Sequence, residues 1–177
     1  MDIINIINAT NTINVILWII GVYIFVVFIL SRFIIPYLKF WKSKIPDKLP
    51  EDMEKAIKSI KAKSKSQKEF LENAYSFLSK RYHGARGQTY IKFNHMFFSL
   101  EKTWDNPGFQ QCTQQSNLLR VFLVKSGFFS DDEIKQRCTL YITNIHQYLL
   151  VKLDGKWVPV DPWANFIGKK IGQHAGI

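Results

Sequence analysis

Leu153-Asp154-Gly155-Lys156-Trp157-Val158-Pro159-Val160-Asp161-Pro162 is the stretch on which the fold turns. An Asp-Gly pair between two apolar runs is the strongest short-range hairpin signal, because both residues tolerate the positive φ that a tight turn demands. It predicts strands over residues 145–153 and 156–160, joined by a two-residue turn. In that register Asp161 falls opposite Tyr148, beside His146 at the same end of the ladder, where a carboxylate can orient an imidazole. A third strand is predicted near residues 136–142.

Upstream lies Gln110-Gln111-Cys112-Thr113, followed by Leu118-Leu119-Arg120-Val121-Phe122-Leu123-Val124. Pro107 and Gly108 break the chain before the cysteine. Leu118, Leu119, Phe122 and Leu123 then recur at helical spacing, and Gly127 ends the pattern. Cys112 therefore opens a helix, and its sulfur faces the positive end of the helix dipole, a setting that favours thiolate over thiol. Thiol, imidazole and carboxylate are the groups needed to make and hold a sulfur nucleophile. Taken singly, each has a plain structural reading: a cysteine on an apolar helix is usually core, and the other two are ordinary strand or turn residues. Their order and contexts together favour catalysis. Cys138, in Gln136-Arg137-Cys138-Thr139-Leu140, lacks such context and reads as a strand residue.

These residues resemble the transglutaminase-like (papain-like) cysteine superfamily, whose signature is a Cys opening a helix, a strand starting with His, and a "dG.W.pvDp" hairpin. The match covers roughly residues 69–163. The resemblance implies an α+β fold, with a papain-like transglutaminase core in which the Cys-bearing helix packs on a small antiparallel sheet. It implies Cys112 as nucleophile, His146 as general base and acid, and Asp161 as orienting carboxylate. Gln110 and Thr113 flank the cysteine where many relatives have glycine and an aromatic or small residue. Gln147-Tyr148 follow the histidine in place of Ala-Trp. These departures bear on the pocket walls and on substrate. Besides the backbone N–H of Cys112, the side chains of Trp104 and Gln110 are candidate oxyanion donors.

The expected function is acyl transfer at amide or peptide carbonyls through a thioester, on a protein or peptide substrate, ending in hydrolysis or transamidation. The alternative is a catalytically idle binding module on the same fold. No cofactor or metal is expected: His83, His95 and His174 are isolated, and neither CxxC nor HxxxH occurs. Two cysteines cannot build a disulfide framework, which fits a reducing compartment.

The N-terminal part reads differently. Residues 13–35 are apolar except for Asn14, Ser31 and Arg32, and no Lys or Arg precedes them. That length suits a ~30 Å hydrocarbon core better than a signal peptide, which needs a basic start and a small-residue cleavage site. A helical hairpin buried in a soluble core is the other alternative. Trp18, and Tyr37 with Trp41, suit the two interfaces. Arg32, Lys39, Lys42, Lys44 and Lys48 follow the run, so the expectation is a single-pass protein in the lipid bilayer with its C-terminal domain cytoplasmic.

Of the formal net charge of +10, an excess of seven lies between Arg32 and Lys68, where eleven basic residues meet four acidic ones. No aromatics interleave the lysines of residues 55–68, so no nucleic-acid partner is expected. The expected organisation is a lead over residues 1–12, a transmembrane helix over 13–38, a basic linker and helix over 39–66, the transglutaminase-like domain over 67–166, and a loosely ordered tail over 167–177.

Overall fold

A computed structural model describes residues 3–26, 42–141 and 144–176. The first helix, α1, runs over Ile3–Ile24. It starts ten residues before the expected anchor and so takes Asn5, Asn8, Asn11, Asn14, Thr10 and Thr12 into its first twelve residues. The part of the expected span that lies in this helix, residues 13–24, rises about 18 Å at ~1.5 Å per residue, against the ~30 Å of a bilayer core. Among the described residues no helix is long and apolar enough to cross a membrane. This corrects the expected transmembrane helix over 13–38 and, with it, the single-pass placement. Residues 27–38 of that span, with Arg32 and Lys39 of its flank, lie outside the described residues.

Three helices and a sheet make the core. Helix α2 (Glu51–Ala62) follows Pro50 and carries Glu51, Asp52 and Glu54 in its first turn, where negative charge suits the dipole. Its Met53, Ile57 and Ile60 fall on one face and are buried. Helix α3 (Gln67–Arg81) is capped by Ser66, whose hydroxyl accepts from the Glu69 N–H, and it buries Phe70, Leu71, Ala74, Tyr75 and Leu78. Two short helices follow, α4 (Arg86–Ile91) and α5 (Leu100–Asp105), with a 3-10 turn over Phe93–Phe97 between them. Helix α6 is Cys112–Ser126, ended by Gly127 at φ 78°.

Strands β1 (Tyr82–His83) and β2 (Gly108–Phe109) form a small parallel pair. Strands β3 (Ile134–Tyr141), β4 (Asn144–Leu153) and β5 (Lys156–Val160) form an antiparallel sheet with β4 in the middle. Asp154 and Gly155 both have positive φ, 48° and 80°. The turn therefore pairs Leu153 with Lys156, and the ladder runs to Leu149 opposite Val160. Leu118, Leu119, Phe122 and Leu123 of α6 are fully buried in one cluster with α2, α3 and Ile134, Leu149, Val151 and Val160 of the sheet. The architecture is α+β, with the Cys-bearing helix packed on a small sheet.

Two boundaries differ from expectation. Helix α2 belongs to the core rather than to a linker, because its apolar stripe is closed over by α3 and α6. The C-terminal segment also docks: Ala175 is buried, and the Gly172 N–H donates to the Pro159 carbonyl at 2.8 Å.

Candidate active site

Cys112 is the first residue of α6, after Gln111 in extended conformation. That junction places the sulfur at the helix N-terminus, where the first-turn N–H groups have no intrahelical partner. The sulfur is half-buried beside the small cluster of Trp163, Ala164 and Ala175. His146 is in the N-terminal half of β4, which packs under the same helix, and only 2 % of it is exposed. Asp161 directly follows β5 and is 1 % exposed.

The three side chains meet. His146 Nε2 lies 2.6 Å from Asp161 Oδ2. The thiol of Cys112 is hydrogen-bonded to the same ring. With Nε2 engaged, Nδ1 is the nitrogen left for sulfur. Asp161 is held on both oxygens: Oδ1 accepts from the Ala164 N–H at 3.1 Å, and Oδ2 from the Ala175 N–H at 2.8 Å. The Trp163 ring lies against the imidazole at 4.9 Å between centroids.

Burial alone pulls the His146 pKa down. Hydrogen bonds to Asp161 and Cys112, with the negative charge of Asp161 and of the Cys112 sulfur when ionised, outweigh it and push the value up to about 10. Tyr75, whose hydroxyl donates to the Lys169 carbonyl at 3.0 Å, is pushed up to about 12 by burial and then by the charge of Asp161. It acts here as a neutral hydrogen-bond donor.

The other cysteine stands in a different place. Cys138 sits on the edge strand β3, opposite Gln147. One side of it meets solvent. Packing nevertheless desolvates its sulfur, and together with the charge of Cys112 pushes its thiol up to about 11.

The Trp104 donor is engaged elsewhere, and so is one of the two N–H groups of the Gln110 amide. Trp104 is a core residue: its ring stacks with Phe77, and its Nε1–H donates to Asp52 Oδ2 at 2.7 Å. Gln110 is fully buried, and its Nε2 donates back to the Asn106 carbonyl at 2.7 Å. The residues that sequence reasoning missed are Trp163, Ala164 and Ala175. Trp163 and Ala164 directly follow Asp161-Pro162, a local signal. Ala175 carries none, since a backbone N–H leaves no mark on residue type.

Among the described residues no group of three His, Cys, Asp or Glu side chains is arranged to hold a metal ion. Comparison with family models, curated proteins and solved structures finds no match in any of the three.

Proposed function

We propose that this protein is a cysteine acyl-transfer enzyme of transglutaminase-like type, acting on an amide or peptide carbonyl of a protein or peptide substrate. The observation that carries the reading is His146, buried and bonded at once to Cys112 and to Asp161. An imidazolium beside sulfur stabilises the thiolate, and a carboxylate on the far nitrogen fixes the ring plane and its charge.

The chemistry follows in two halves. The Cys112 sulfur attacks the carbonyl carbon and forms a C–S bond, and the carbonyl electrons move to oxygen. As the tetrahedral adduct collapses, the C–N bond breaks and His146 gives its proton to the leaving amine. The neutral ring then takes a proton from water or from an acceptor amine, which attacks the thioester. The C–S bond breaks and releases the Cys112 thiolate beside the ring, which keeps its proton and so restores the starting ion pair. The oxyanion falls to backbone donors at the start of α6, the Cys112 N–H first among them.

Iodoacetamide labelling followed by peptide mapping tests the nucleophile. Cys112 should be alkylated well below pH 8, while Cys138 remains unlabelled. Equal labelling of both, or faster labelling of Cys138, would remove Cys112 from the role. Incubation of a glutamine-containing peptide with and without a primary amine then separates the outcomes, through release of ammonia with or without amine incorporation.

A further inference from the structure

The carboxylate of Asp161 is held from two directions. The Ala164 N–H on Oδ1 comes from three residues away and belongs to the local turn. The Ala175 N–H on Oδ2 comes from fourteen residues away, and it meets the oxygen that also bonds His146. One anchor leaves a carboxylate free to swing about its terminal torsion, which has a broad energy well. A second anchor on the other oxygen fixes its plane.

We propose that residues 169–175 form a positioning strap, whose Ala175 N–H locks Asp161 in the orientation that holds His146. The strap is secured along its length. Lys169 N–H donates to the Ala164 carbonyl at 3.2 Å, and the Lys169 carbonyl accepts from Tyr75. Gly172 turns at φ 94°, which a side chain opposes, and its N–H reaches Pro159. The His174 ring lies flat on Tyr148, 4.1 Å away and 4° from parallel. Ala175 is 1 % exposed and packs in the cluster that also receives Cys112. The strap thus supplies a donor to the carboxylate and keeps water from the His146–Asp161 bond. In a dry site that bond is stronger than it is in water. Ala175 acts through Asp161 and His146 and is a positioning residue.

The consequence for catalysis rests on the reading of Cys112 as nucleophile; the hydrogen bonding of the strap does not. The test therefore carries two readouts on the full chain. One is the far-downfield proton resonance of the His146 ring N–H bonded to Asp161. The other is the rate of Cys112 alkylation by iodoacetamide at neutral pH. Ala175→Pro removes the N–H, Ala175→Ser keeps it, and a chain ending at Gln173 removes the residue.

The resonance should persist in the parent and in Ala175→Ser, and vanish in Ala175→Pro and the shortened chain. Alkylation in the latter two should fall by about tenfold, the scale of one pKa unit lost by the imidazole. A resonance retained in either of them overturns the proposal. So does an Ala175→Ser variant as impaired as Ala175→Pro, because packing would then explain the loss. Global unfolding of both the proline variant and the shortened chain overturns it too, since the strap would then be structural. If the parent shows no preference for Cys112, the nucleophile reading fails while the resonance comparison still decides the strap.

Discussion

Four glutamines around Cys112 show what a polar side chain does at residue scale. Gln110 donates to the Asn106 carbonyl, Gln111 to those of Thr89 and Lys92, Gln114 to that of Met96, and Gln115 to that of Gln110. They donate to loop carbonyls beside the site, whose hydrogen-bonding capacity must be met when they are buried. Gln114→Leu should cost about 1–3 kcal/mol in urea unfolding, because the Met96 carbonyl loses this donor. The triad residues make sharper predictions. Cys112→Ala should abolish amide cleavage with the fold intact, and Cys138→Ala should leave activity unchanged. In Cys112→Ala the His146 pKa should also fall from about 10, since the Cys112 sulfur contributes a hydrogen bond and, as thiolate, charge to the rise. NMR titration of the ring reads this, and an unmoved value would detach the thiol from the imidazole. Asp161→Asn should lower turnover by about 10²–10⁴-fold, because the amide no longer balances the imidazolium.

At element scale, the close approach of β1 to the turn after Asp161 depends on Gly84. A Cβ there would stand 2.5 Å from the Trp163 carbonyl oxygen and 2.7 Å from the Phe166 ring. Gly84→Ala should therefore push the Trp163–Ile167 turn off its seat, cost about 1–3 kcal/mol and lower Cys112 reactivity. A variant as stable and reactive as the parent would show that the turn does not set the site. The sheet carries an opposite case. Gln136 pairs with Leu149 in the ladder, and both of its amide atoms are buried without a hydrogen-bond partner among the described residues. Gln136→Leu should raise stability by about 1 kcal/mol, because it removes a desolvated group and adds apolar contact. Denaturant midpoints with unchanged slope are the measure.

At the scale of the whole molecule, charge ties the segment before α2 to the core. Arg120, 3 % exposed on α6, reaches Asp131 at 2.7 Å and the Ser43 carbonyl at 2.8 Å, while Lys42 meets the same carboxylate. The Arg120 hydrogen bond comes first among the influences that hold Asp131 below its ordinary value of 3.8. Its contribution to stability is present above that value and is lost as pH falls through the depressed one. His146 works at the other end of the scale. Its pKa rises on folding from 6.5 to about 10, so its contribution is complete below 6.5 and is lost as pH climbs through about 10. Thermal unfolding followed against pH should therefore show an alkaline loss that Asp161→Asn shifts to lower pH. An alkaline limb unchanged in that variant would separate the pair from stability.

Local chemistry is what the sequence alone determined. Asp154-Gly155 set the hairpin and its register, because both residues accept positive φ and the side-chain period of a strand is two. The apolar spacing after Cys112, with Gly127 at its end, set the start and stop of α6. The placing of Cys112, His146 and Asp161 at the ends of these elements was legible for the same reason. What only the tertiary structure decided lies in contacts between distant residues. Asp52 takes the Trp104 N–H across 52 positions, which makes α2 part of the domain and Trp104 part of the core. Ala175 reaches Asp161 through its backbone, and no residue type announces a backbone donor. The extent of α1 was misjudged because apolar composition sets where a helix is greasy, whereas backbone hydrogen bonding, which tolerates Asn and Thr, sets where it begins.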